Sequence, residues 1–572
     1  MPGRKRTIIG IGIFFLILPA LFWLLEDLAW FRQLRIALQS KAVPTGILNY
    51  GEMGAILKEL GYVQLVDNDN GRFPRTDDDL DEDQRRLELL PFQKKRHVDE
   101  YLYLANPAGR YGLLRQFFPG GLTAKGHWPV LAIRLPEEDL HDPAKGLLMH
   151  RDQKGRQWER KTEVLVVRDG EAVFYSSAGL RIHGGKRRLS QYLSDYRLYF
   201  RKQIGIEAVP TGTLSDQEMP VRTLVVKNVD WPAGQPMNTP LAFDIAERIG
   251  CIVPETSLVE LYINGKSIGM AYVTEHLSRR QWNQRFSHQD YVFFKFKGDF
   301  LASDEKHYHE KFWPVTTARQ DFTMERVAKT IDLDNFSRHV FSWAFNGTTD
   351  ACQGVGILDP KDPESRLRWI NWDMDHSFYD LKAETQDLDR PNWMQEGVGL
   401  INDPDGSCDR QVLFTRLVRE SEQYRRYFSA LVTEILNHRL TEEFLLERVG
   451  YYRRMLHEFG RPHREYIAML GDFVHHRADY LRSEMVKQFQ LDGPFSCRVP
   501  VAAGLPLLID GYTYETMYTG RYFKGQKIVL EPAGSVVNIF SHWLVDGKSV
   551  PGSRLELPIE DDVNIEAIFN DR

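Results

Sequence analysis

The chain has 572 residues, 42% hydrophobic, 12% aromatic and 27% charged, the composition of a globular protein long enough for two to four domains. A formal net charge of −6, with no basic stripe, zinc-finger spacing or aromatic RNA-binding motif, leaves no reason to expect nucleic acid as a partner. Cys251, Cys352, Cys408 and Cys497 are scattered without a C-x-x-C, which gives no sign of zinc or a dense disulfide framework and leaves one or two bridges open.

At the start, Arg4, Lys5 and Arg6 precede an uncharged apolar run from Ile8 to Leu25, closed by Glu26 and Asp27. As a helix that run spans about 27 Å, close to the hydrocarbon thickness of a bilayer. The positive flank predicts a cytoplasmic N-terminus with everything after Glu26 exported. An uncleaved signal-anchor over residues 1–30 is favoured over a cleaved signal peptide, because Pro19-Ala20-Leu21-Phe22 is a poor small-x-small site. The expected location is therefore the inner (cytoplasmic) membrane, held by one helix, with the bulk periplasmic or extracellular.

A mixed extension follows over residues 31–125, with helical spacing from Gly51 to Leu60 and an acidic run, Asp77 to Asp83, read as a solvated loop. From Trp128 the pattern turns to strands. Val130–Leu135 and Thr162–Val167 come first, the second ending in the turn Asp169-Gly170. Val221–Val226 follows, then Ser257–Ile263, which closes on the hairpin turn Asn264-Gly265 and returns through Ile268–Val273. Tyr291–Phe296 is a further strand. Helical spacing then runs over Met324–Phe345 and Gln411–Gln488, interrupted by one strand, Leu367–Trp372. Past Pro494, short strands between glycine turns predict a small β-sandwich over residues 494–572. The order predicts an α+β fold, two-lobed over residues 126–490, with a β-rich first lobe and a helical second one.

Asp373 and Asp375, in Trp372-Asp373-Met374-Asp375, follow a hydrophobic strand. In extended geometry they point to one side, about 6.6 Å apart. At that distance two carboxylates repel by about 2–3 kcal/mol at an effective dielectric near 20. A divalent cation would offset this, since Mg²⁺ takes one or two carboxylates and completes its shell with water and phosphate oxygens. The other reading is an acidic turn, with Asp373 capping a helix that starts near His376. Asp350, in Asn346-Gly347-Thr348-Thr349-Asp350, lies 23 residues before Asp373. Phosphoryl transfer needs one carboxylate to orient the attacking hydroxyl and another to hold metal. The stretch Ala178–Arg188 combines glycine turns with four basic side chains, a candidate anion cradle or a hairpin with a solvated basic face. Tyr196–Lys202 adds a basic, aromatic strand. His150-Arg151-Asp152 imitates a kinase triplet but lacks the following Asn, having Gln157, and precedes the strand region. The clusters His307–Glu310 and His475-His476 read as loop and helix surface.

Several of these segments together resemble the CotH family of atypical, spore-coat-type protein kinases. The similar stretches are Gln157–Arg160, Ala178–Gly184, Tyr196–Phe200, Glu260–Gly265, Gly269–His276, Asn346–Asp350 and Trp372–Phe378, in order across residues 128–490. The resemblance implies a kinase-like two-lobed fold that binds ATP with Mg²⁺ or Mn²⁺ and phosphorylates Ser or Thr of a protein or envelope acceptor. By that likeness Asp350 is the catalytic aspartate, Asp373 and Asp375 hold metal, Arg181 and Arg197 face the phosphates, and Glu275 lies near the nucleotide or braces its pocket. The sequence departs from the family at Gly354, where an Asn is common, and at Leu193, Ser194 and Asp195, where basic residues are frequent. A nucleotide-binding pseudokinase serving adhesion or envelope assembly therefore stays open, as does a nucleotide-sugar transferase using Asp373-Met374-Asp375 as its D-x-D. The C-terminal residues Tyr522–Leu530, His542–Gly547 and Ile565–Phe569 resemble an internalin-type B-repeat, a spacer or binding unit.

Overall fold

The computed structural model describes residues 63–65, 87–89, 107–123, 128–184, 194–214, 220–229, 236–286, 291–295, 308–312, 314–315, 322–348, 355–378 and 409–570. The apolar run 8–25, the stretch 51–60, the acidic run 77–83, Asp350 and Gly354 lie outside them. Among the described residues no helix is long and apolar enough to cross a membrane. Helices and strands are mixed through the chain and the C-terminal region is all β, so the fold is α+β.

Strands are numbered in chain order: β1 Val63–Leu65, β2 Leu87–Leu89, β3 Val130–Arg134, β4 Arg160–Arg168, β5 Glu171–His183, β6 Asp195–Tyr199, β7 Thr223–Asn228, β8 Thr256–Ile263, β9 Lys266–Glu275, β10 Val292–Lys295, β11 Val355–Leu358 and β12 Arg368–Ile370. The main helices are α1 Pro107–Phe117, α2 Glu137–His141, α3 Asn238–Arg248, α4 Arg279–Arg285, α5 Met324–Ala328, α6 Leu333–Phe345, α7 Asp409–Glu420, α8 Glu422–Glu434, α9 Glu442–Glu458 and α10 Arg464–Phe489. The chain forms two compact units, one of residues 1–182, 197–222 and 260–268, the other of 183–196, 223–259 and 269–572.

In the first unit β3 pairs antiparallel with β4, β4 with β5, and β3 runs parallel to residues 260–263 of β8. The strand sequences are apolar on both faces, and Leu113, Phe117 and Phe118 of and beside α1 close a core with Val130, Leu165, Val167 and Tyr262. The turns read from sequence are present, with both residues left-handed at Asp169-Gly170 (φ 50° and 79°) and Asn264-Gly265 (φ 50° and 77°). That geometry suits the right-handed twist of a hairpin and is accessible to Asn, Asp and Gly. Of the stretch 178–188, residues 185–188 lie outside the described residues. Ala178 to His183 is the end of the 13-residue β5, because its apolar residues alternate into the core.

In the second unit β7 pairs antiparallel with β9, and β10, β11 and β12 form a small antiparallel sheet over Trp282, Phe293, Ile357 and Ile370. The single helix expected over 324–345 is two. Ile331 bridges to Leu367, Leu367 N–H donates to Thr330 O at 2.8 Å, and Asp332 then caps a new helix by accepting from Asn335 N–H at 3.0 Å. The strand expected over 367–372 keeps only Arg368–Ile370, and residues 308–312 form a π-helical turn where a loop was expected. His475 and His476 lie on the exposed face of α10. Cys251 and Cys497 are free, buried thiols, each pushed up to about 12 by burial.

Residues 494–570 form two sheets around Cys497, Val499, Ile509, Leu530, Trp543 and Ile565. This module is fastened to the helices. In the π-helical turn Ile435–Arg439 after α8, His438 is stacked between Tyr512 and Tyr518 at centroid distances of 4.5 and 5.5 Å. Its Nδ1 lies 2.8 Å from the Tyr514 hydroxyl and its Nε2 3.3 Å from Asp510. Beside it, Asn437 exchanges two 3.1 Å hydrogen bonds with the backbone of Arg521, as a strand neighbour would.

Candidate functional site

Strand β7 carries Thr223-Leu224-Val225-Val226-Lys227-Asn228, and its last five residues are all buried. A lysine so placed must be paired or neutral, because burial penalises its charge. Its Nζ donates to Asp373 Oδ1 at 3.0 Å and stands 4.0 Å from Asp375 Oδ2. Burial alone would lower the Lys227 pKa, but the neighbouring negative charge, Asp373 foremost with Asp375 and Asp195 behind it, holds it well above the ordinary value. The ammonium stays charged. Its side chain is 8% exposed, whereas those of Asp373 and Asp375 are 31% and 26% exposed. Both carboxylates therefore keep a solvent-facing side after Lys227 is paired.

Asp373 and Asp375 come together for a different reason from the one expected. The chain leaves β12 at Ile370, and Asp373 is left-handed at φ 58° instead of extended. Phe378 repeats that conformation at φ 58°. Such a backbone costs about 1–3 kcal/mol at each non-glycine residue and persists only where surrounding contacts hold it. Those contacts are present. Met374 is fully buried between the two aspartates, with Asn371 Nδ2 at 3.6 Å from its sulfur. Asn371 also donates to Ser342 Oγ at 2.7 Å and accepts from His339 in the buried face of α6.

Asp350 is outside the described residues, but the chain leading to it is tied to the acidic loop. Asn346 O accepts from Phe378 N–H at 2.8 Å, Gly347 is left-handed at φ 59°, and the Thr348 and Ser377 hydroxyls are 2.7 Å apart. Arg477 of α10 is buried and donates to Phe345 O at 2.9 Å and Ala344 O at 2.6 Å, taking up carbonyls at the end of α6.

The remaining expected site residues have other engagements. Glu275 is buried at the end of β9 and braces α4, pairing with Arg285 and accepting from Gln281 Nε2 at 3.4 Å and Glu255 N–H at 3.1 Å. Burial raises its pKa, and Arg285 only partly opposes that. In the first unit Arg181 donates to Glu159 through Nε at 2.9 Å and Nη2 at 2.6 Å, and Arg201 grips the same carboxylate. Burial would raise Glu159, but the Arg201 and Arg181 hydrogen bonds outweigh it and hold the carboxyl below its usual value. The guanidinium carbons of Arg181, Arg201 and Arg197 lie 4.4, 4.8 and 6.0 Å from the centre of the Tyr199 ring. A Cβ at Gly179 would stand 2.1 Å from Glu159 Oε1, so any larger residue there would have to displace that carboxylate.

Sequence reasoning missed Lys227 because the strand was read as Val221–Val226, one residue short of it. The signal was Asn228 and Val229 beyond it, both buried and continuing the strand inward. Among the described residues no cluster of three or more His, Cys, Asp or Glu could hold a metal. The donor set of two part-exposed carboxylates fits a hard cation that completes its shell with phosphate and water.

Residues 222–466 match the family model described as CotH kinase protein. No curated protein matches the chain. The matched segment contains Lys227, Glu275, Asp350, Asp373 and Asp375, and begins after Arg181 and Arg197.

Proposed function

Residues 222–466 belong to the CotH kinase family, and from that premise we propose that the protein transfers the γ-phosphoryl group of ATP to a Ser or Thr hydroxyl of a protein or other envelope acceptor. The observation that carries this reading is Lys227, a buried and charged amine between two carboxylates that each keep a solvent-facing side. Asp373 and Asp375 would hold Mg²⁺ or Mn²⁺, which supplies positive charge against the phosphate oxygens. Asp373 is the firmer ligand and Asp375 the second.

The chain's own groups do the rest. Lys227, pre-paired and desolvated, offers a fixed ammonium to the same oxygens, where a preorganised charge is worth more than in water. Asp350 would accept the proton of the attacking hydroxyl, and the Thr348–Ser377 and Asn346–Phe378 links hold its approach to the acidic loop. Arg181 and Arg197 are proposed to face the phosphates, with Arg181 already steadied by Glu159. Glu275 is assigned a bracing role through Arg285. The apolar run 8–25 behind a basic cluster supports a membrane-anchored enzyme acting outside the cytoplasm.

Full-length protein incubated with labelled ATP and Mg²⁺ or Mn²⁺ should transfer label, and Asp373→Ala should lose it by about 100-fold or more. Equal transfer by Asp373→Ala would sink this site. Gly354 in place of a common family Asn supports a second reading, a pseudokinase with an adhesive or envelope-assembly role. That reading requires thermal stabilisation by ATP and metal without transfer, and stabilisation by UDP-sugars in place of ATP would instead identify a sugar transferase.

A further inference from the structure

Resting on that reading, we infer that Asn238 is a positioning residue that sets where the Asp375 carboxylate stands. Asn238 is the first residue of α3 and is buried. Its Nδ2 donates to Asp375 O at 3.2 Å and also to Ser377 O. The Tyr466 hydroxyl, from α10, donates to Asn238 Oδ1 at 2.9 Å. Burial raises the Tyr466 phenol far above its usual range, so it keeps its proton and stays a donor. With a fixed donor facing Oδ1, the amide has one orientation, and both of its N–H groups face backbone carbonyls.

Those carbonyls belong to the acidic loop itself. The loop enters at Asp373 and leaves at Phe378, both left-handed, and nothing in its own sequence favours that path. Lys227 holds the loop by its carboxylates, and Asn238 holds it by the backbone of two residues between the left-handed positions, Asp375 and Ser377. Without the amide, Asp375 O and Ser377 O lose this donor, and the 375–377 segment loses the brace nearest its carboxylate. Helix α10 completes the brace at two points, through Tyr466 behind Asn238 and through Arg477 at the end of α6. Asn238 touches neither nucleotide nor metal in this account. It acts through Asp375.

The experiment is a Mn²⁺ titration of the full-length chain followed by electron paramagnetic resonance, with Mn²⁺ alone and with Mn²⁺ plus ADP, alongside thermal unfolding. Asn238→Asp replaces the donor by a carboxylate oxygen of the same size and should weaken Mn²⁺ binding by about 10-fold or more, as loss of an outer-sphere partner does. Tyr466→Phe leaves the donors in place but frees the amide to turn, and should weaken binding by about 3-fold. A folded Asn238→Asp protein with a lower melting temperature but wild-type Mn²⁺ affinity would overturn the inference and leave a structural role only. If Asn238→Asp does not fold, Tyr466→Phe decides, and unchanged affinity there overturns it equally. Failure of the wild-type chain to bind Mn²⁺ is a separate outcome, which removes the proposed metal site and the inference with it.

Discussion

Around Tyr199, three arginines approach one ring and two of them share one carboxylate, which is the more buried partner: Glu159 is 11% exposed, Arg181 20% and Arg201 25%. At Lys227 the numbers are reversed, with one amine for two carboxylates, and here the amine lies innermost. In both clusters the minority charge is buried and the majority charge faces outward. A buried ion needs partners on several sides, so surrounding it with an excess of opposite charge offsets its desolvation. The surplus then points to solvent, positive at Tyr199 and negative at the acidic loop.

The sharpest way to break this comparison is Lys227→Met. Transfer should fall by about 100- to 1000-fold, through loss of a preorganised positive charge. Binding of Mn²⁺ alone should tighten, because the ammonium that now competes for Asp373 and Asp375 is gone. Weaker Mn²⁺ binding in that variant would mean that the lysine shapes the site and does not compete for it.

Gly179→Ala attacks the other cluster. Its methyl would stand 2.1 Å from Glu159 Oε1, so the carboxylate must leave the arginine fork. Overpacking of this kind costs about 1–3 kcal/mol, read as a lower melting temperature in calorimetry. An unchanged melting temperature would show that the fork contributes nothing to stability.

The smallest effect is expected from Glu159→Gln, and it depends on pH. The folded Glu159 carboxyl lies below its ordinary value of 4.5, so its stabilising contribution is present above that pH and is lost as pH falls through the folded value. Because Gln still accepts from Arg181 and Arg201, which are themselves 20% and 25% exposed, the difference from wild type at neutral pH should be about 1 kcal/mol. The gap in melting temperature should close on acidification below pH 4.5. A gap independent of pH would assign the effect to packing instead of charge.

Much of the architecture was legible. Hairpins at Asp169-Gly170 and Asn264-Gly265 follow from residues that tolerate left-handed backbone, and the β-module follows from closely spaced glycine turns. The errors share a cause. The helix expected over 324–345 breaks because Ile331 finds a partner at Leu367, and the strand expected over 221–226 runs on to Asn228 because β9 pairs with it. Neither partner is near in sequence. For the site, Asp373 and Asp375 were legible as acidic residues after a strand, with an extended pair and an acidic turn both open, and the structure gives a path that is left-handed at Asp373.

What the sequence determined by itself was the local periodicity, the turns and the presence of an acidic pair, all properties carried within a few residues. Only the tertiary structure supplied Lys227, which reaches Asp373 across 146 residues, and Asn238, which reaches Ser377 across 139. It also supplied the His438 joint to the C-terminal module, 72 residues from Asp510. The physical reason is the range of the interactions. Backbone preferences and side-chain alternation act between neighbours, whereas pairing a buried charge or satisfying a buried carbonyl is decided by whatever the fold brings within 3 Å or so.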